Sequence, residues 1–191
     1  MASSVGSTNT AVDASHTSRV NQQIESALSG GHPNSLGNVP QITAEVLADR
    51  RTLSELLSCY HSKDAVVRLR VSSVLKRVCQ QKPDWVLTYL DQLLNEVAQI
   101  NQASTKWTLA IIFGLLRKSM SIPQYKQSMS LLKSYTSYPD WIVQNTSIKV
   151  LYEYCDEDET LKPWLKSRLG EMQHSEWKSV AGRARKLLAT L

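Results

Sequence analysis

Four stretches of this chain carry residues at offsets 0, 4, 7, 8 and 11 that form one predominantly apolar face, and they return at nearly constant intervals. The first is Val67, Val71, Val74, Leu75 and Val78. Thr105, Leu109, Ile112, Phe113 and Leu116 hold the same offsets 38 residues later, and Val143, Ser147, Val150, Leu151 and Tyr154 hold them after another 38. Val180, Ala184, Leu187, Leu188 and Leu191 complete the series 37 residues further on. Such spacing puts each set along one face of an α-helix. The interval leaves room for one partner helix per copy, and the partners are expected over 42–60, 83–99, 122–136 and 159–173. Pro83, Pro123 and Pro163 fall in or near the first turn of three of them, where a missing N–H costs nothing. A helix pair of this kind buries its apolar face only when a neighbour stacks on it. The expected class is therefore all-α, a right-handed α–α superhelix of about four helix pairs over residues 41–191.

The middle of the series is the run from Ser104 to Arg117, apolar on nearly every side, which belongs between neighbours in such a stack. The turns add a second signal. Asp64 precedes Val67 and Arg68, Asp140 precedes Val143 at the same spacing, and Lys106-Trp107-Thr108 leads into Leu109-Ala110-Ile111-Ile112. On these residues the chain resembles the HEAT-repeat family, in particular small HEAT-like proteins, over about residues 41–191. The resemblance implies a HEAT/ARM-like solenoid whose second helices line the concave side. Trp177 stands where the last copy would carry the turn aspartate.

Residues 1–40 read differently. Ser, Thr, Asn, Ala and Gly dominate residues 1–17, which offer almost nothing to bury and are expected to form a disordered tail. Val20, Ile24 and Leu28 recur every fourth residue, enough for a short helix over 18–29 that Gly30-Gly31-His32-Pro33-Asn34 then stops. Docking on the repeat domain and waiting for a partner are both open to it.

The formal charge of +5 is unevenly placed. Residues 1–40 hold Arg19 against Asp13 and Glu25, so the excess lies in the repeat region. It gathers near the C-terminus in Lys162, Lys166, Arg168, Lys178, Arg183, Arg185 and Lys186. That balance permits attraction to polyanions, and a solvated cap helix has the same composition. Cys59, Cys79 and Cys155 are too scattered for a disulfide framework or a zinc module and read as buried thiols. The opening residues carry no basic and apolar leader, and no run approaches the ~18 apolar residues of a membrane helix. A soluble, cytoplasmic protein is expected.

Catalytic chemistry finds no foothold in the pattern. His16, His32, His61 and His174 sit in the tail or at turns without a second ligand at i+3 or i+4, and no Gly-rich phosphate loop is present. Asp156-Glu157-Asp158-Glu159 lacks the alternation and central glycine of a calcium loop and reads as the acidic start of the next helix. Pro-Asp-Trp occurs at 83–85 and 139–141, and Trp85 and Trp141 read as packing wedges. No catalytic residue, cofactor or metal is expected.

The positions between the core offsets of the in-phase helices should line the concave face. They read Arg70, Ser73 and Arg77, then Thr108, Ile111 and Leu115, then Thr146, Lys149 and Glu153, then Arg183 and Lys186. The expected partner-binding set is Arg70, Arg77, Trp107, Thr108, Ile111, Leu115, Lys149, Arg183 and Lys186. It forms a groove with an apolar centre at Ile111 and Leu115, Trp107 at its edge and basic flanks. A non-enzymatic scaffold or adaptor that holds a peptide or amphipathic helix of a protein partner follows. The alternative is a nucleic-acid backbone binder, because some HEAT-like proteins are DNA glycosylases with a basic concave face. The Trp and Asp pair of those enzymes finds no match here, so binding without glycosylase activity is the form that alternative takes.

Overall fold

The computed structural model describes residues 22–32 and 34–191. The expected tail over 1–17, residues 18–21 of the expected first helix, and Pro33 lie outside them. Among the described residues all regular structure is helical and none is strand. No described helix is long and apolar enough to cross a membrane. The chain divides into two compact units, Met1–Val78 and Cys79–Leu191.

Among the described residues of the first unit the earliest element is α1 over residues 22–28, whose Ile24 and Leu28 are buried. α2 (Val39–Ala48), α3 (Thr52–Ser58) and most of α4 (Ala65–Gln81) follow. The single helix expected over 42–60 is thus two. Asp49 is the cause: its backbone is extended, and its carboxylate accepts the Arg51 N–H at 3.0 Å and the Arg51 guanidinium at 2.8 Å. A local side-chain turn of that kind competes with the helical ladder. At the start of α4 the Asp64 carboxylate accepts the Val66 N–H at 2.7 Å, which gives the turn aspartate its role as a cap. Val67, Val71, Val74, Leu75 and Val78 are all fully buried.

Arg70 leaves α4 from the same helix and does not reach solvent, being 3% exposed. Its guanidinium donates to the carbonyls of Leu28 at 2.8 Å and Gly30 at 2.6 Å, and to those of His32 at 3.2 Å and Ser35 at 3.3 Å. The first is an end carbonyl of α1, which has no partner within its own helix. Gly30, Gly31 and Gly37 have φ of 68°, 70° and 51°, and this left-handed backbone is what wraps the strap around the side chain. A Cβ on Gly37 would stand 3.1 Å from Arg70 Cζ.

The second unit holds α5 (Pro83–Leu87), α6 (Leu90–Asn95), α7 (Ala103–Leu116), α8 (Ile122–Tyr135), α9 (Trp141–Tyr154), α10 (Lys162–Met172) and α11 (Lys178–Leu188). The helix expected over 83–99 is broken, because Tyr89 sits at φ −106°, ψ 8° and the Thr88 hydroxyl closes a turn on Trp85 O at 2.7 Å. A 3₁₀ turn, Val97–Gln99, completes that stretch. α8 begins with a capping box between Ser121 and Gln124, and α9 with Asp140 accepting the N–H groups of Ile142 and Val143 at 2.9 and 3.0 Å.

α9 packs against both α7 and α11. The side-chain bridges between these helices join nearby points along them. Tyr138 Oη donates to Asn101 at 3.0 Å across 37 residues, Tyr152 Oη to Thr190 O at 3.3 Å across 38, and Tyr154 Oη to Phe113 O at 3.3 Å across 41. Early residues meet early and late meet late, so α7, α9 and α11 run parallel. α8 is also tied to α6: Gln124 and Gln127 of α8 donate to Asp91 and Asn95 of α6, both at 2.8 Å.

Candidate functional site

A groove of about 440 Å³ runs along the outer face of α9 in the second unit. α7 supplies one wall through Ile111, Gly114 and Leu115, and Arg183 of α11 stands on the other. The floor and mouth come from α9, with Trp141 and Ile142 at its N-terminal end, Asn145, Thr146 and Lys149 in the middle, and Val150 and Glu153 towards the C-terminal end. Gly114 sets the depth. A Cβ there would meet the two Val150 methyls at 3.2 and 3.3 Å, so the glycine lets α7 approach α9 closely.

The lining is mixed, with a clear order to its charges. Leu115 is 45% and Trp141 42% exposed, the apolar contact surface of the site. At the Glu153 end Arg117 is held by Glu157 at 3.2 Å and Glu153 at 4.0 Å, and Lys149 pairs with Glu153 at 3.3 Å. Arg183 is exposed and makes no ion pair among the described residues. Asn145 is buried beside it, its amide donating to Ser179 Oγ at 3.2 Å while Oδ1 has no partner.

Of the residues expected to bind a partner, Ile111, Leu115, Lys149 and Arg183 come together in this groove. Thr108 is buried at 1% exposure and Trp107 is half-buried, and neither lines it. Lys186 is exposed on α11 outside the lining. Arg70 and Arg77 belong to the first unit. Arg70 is sealed against the carbonyls of Leu28, Gly30, His32 and Ser35 and offers nothing to a partner; Arg77 is half-buried and turns back to Ser73 O at 3.0 Å.

Sequence reasoning passed over other contributors. Trp141, read as a packing wedge, is on the groove's rim; Gly114, Arg117, Ile142 and Asn145 are in its lining, as is Val150, which was assigned to the core face. Two signals pointed there: a glycine inside an apolar helix marks close approach, and Asn145 interrupts the apolar face of α9.

Among the described residues no three His, Cys, Asp or Glu gather as a ligand set. In the acidic run, Glu157 pairs with Arg117, Glu159 with Lys162 at 2.7 Å, and Asp158 caps a turn through the Thr160 N–H at 3.0 Å. All three cysteines are buried, and burial pushes the Cys59 and Cys79 thiols up to about 12, well away from nucleophilic thiolate. No protein-family model matches this chain, and no curated protein is found that is similar to it.

Proposed function

We propose that this protein is a HEAT-like helical-repeat adaptor that holds a segment of a protein partner in the groove on α9, without catalysing a reaction. One observation carries the reading: an open, partly apolar trough is formed by corresponding faces of three parallel helices, with Leu115 and Trp141 exposed in it. Large apolar side chains gathered in a concave site, with charges at the edges, are the features that anchor a bound segment. Bridges at intervals near the sequence period support the repeat assignment.

The reading is tested by selecting displayed random peptides on the full chain and on Ile111→Glu/Leu115→Glu. Leu115→Glu alone serves if the double variant loses its fold by circular dichroism. Peptides that bind the wild type and lose at least tenfold in affinity on the variant are expected. Peptides that bind both equally well would end the groove reading.

The polyanion alternative draws on Lys178, Arg183, Arg185 and Lys186, all exposed on α11. It requires duplex DNA affinity that falls steeply with salt. No measurable binding to duplex DNA at either 50 or 200 mM salt, beyond roughly the weak non-specific range, is the outcome expected of an adaptor.

A further inference from the structure

The chemistry of the occupant follows from the groove's length, its backbone and its charges, and it rests on the groove reading above. Trp141 and Glu153 mark the two ends of the α9 lining. At ~1.5 Å per residue along a helix, the trough between them is about 18 Å long, the length of a three-turn helix. Both of its main walls are helices whose backbone groups are already paired internally, so an extended chain would find no ladder of N–H and C=O partners. A helix satisfies its own backbone and needs only a side-chain stripe to fit.

The charges set where that stripe sits. At the Glu153 end the cations are engaged, Arg117 by Glu157 and Lys149 by Glu153. Arg183 alone among the basic lining residues makes no ion pair among those described. Two bridges bracket its height: Asn145–Ser179 and Tyr152–Thr190, at intervals of 34 and 38 residues, place Arg183 beside residues 145–149 of α9, about half-way along the trough and on the side away from α7. An occupant whose apolar side faces α7 therefore turns its neighbouring flank towards a guanidinium, whose planar fork fits a carboxylate.

We infer that the groove takes a three-turn amphipathic helix of a partner protein, with apolar residues on Ile111, Leu115 and Trp141. An aspartate or glutamate midway along its adjacent flank pairs with Arg183. The selected peptides decide this. Groove-dependent binders should share one acidic position at fixed register to apolar residues at i, i+3 or i+4, and i+7, and should gain helical circular dichroism on binding. Arg183→Glu should weaken them at least tenfold, and replacing the peptide's acid by lysine should restore binding to that variant.

Groove-dependent peptides that bind extended, or that bind without the acid, would overturn the inference and leave the groove reading standing. Loss of groove dependence altogether would sink both. A concentration-dependent dimer of the full chain that Leu115→Glu dissolves and that excludes the peptides would replace the partner helix by a second copy.

Discussion

Arg70 and Arg183 stand at the same point of the repeating pattern, each three residues after the first core valine of its helix. Arg70 is 3% exposed and engaged by carbonyls of its own chain, whereas Arg183 is exposed and lines a groove. Between them in the series, Thr108 is buried and Thr146 is half-buried in the groove lining. Phase along a helix tells which residues share a face, and what covers that face is decided elsewhere in the chain. In the first unit the cover is a glycine strap with positive φ, and in the second there is an open trough.

The difference is largest when the two arginines are truncated in turn. Arg70→Ala leaves several carbonyls of the strap without their donor and is expected to destabilise the protein by about 3 kcal/mol in urea unfolding, with faster hydrogen exchange over residues 22–38. Equal stability of Arg70→Ala and wild type would remove the clasp from the account. Gly37→Ala attacks the same strap from the backbone. A left-handed φ for a residue with a Cβ, together with the approach to Arg70 Cζ, should lower stability by about 1–2 kcal/mol.

On the groove side the effects shrink. Gly114→Ala improves helix propensity by about 1 kcal/mol, while the stiff Val150 methyls make overpacking cost about 1–3 kcal/mol, so a net loss near 1 kcal/mol is expected by thermal unfolding. Thr105→Val should stabilise by up to about 1 kcal/mol, since the buried Thr105 hydroxyl has no hydrogen-bond partner and valine is nearly isosteric. The other three in-phase helices carry valine at that offset. Arg183→Ala closes the series with a stability change within about 0.5 kcal/mol, as befits an exposed side chain. A larger loss would mean that Arg183 is part of the fold and unavailable to a partner.

These particulars show what the amino acids alone made legible. The core faces of α4, α7 and α9 were readable because burial follows helical phase, and Ile111, Leu115, Lys149 and Arg183 came together for the same reason. The breaks after Ala48 and at Thr88–Tyr89 were not, because they depend on one carboxylate and one hydroxyl choosing a turn over a helix. The burial of Arg70 was invisible for a different reason: its partners are main-chain carbonyls, which carry no residue signature. Gly30, Gly31 and Gly37 signalled an end to the first helix, and their second role, curving the chain around a cation, needed the distance to Arg70 to be seen.

Arg117 ties the α7 wall of the trough to its α9 floor at one end, donating to Gly114 O at 2.9 Å and to the Glu157 carboxylate at 3.2 Å. Its reach from the end of α7 to the residues after α9 means that the seating of this wall on the floor is set before any visitor arrives. Ordering free energy then falls on the incoming segment and very little on the host. Sequences that already hold their shape in water should seat fastest, and floppy ones of equal composition should seat more slowly and leave sooner.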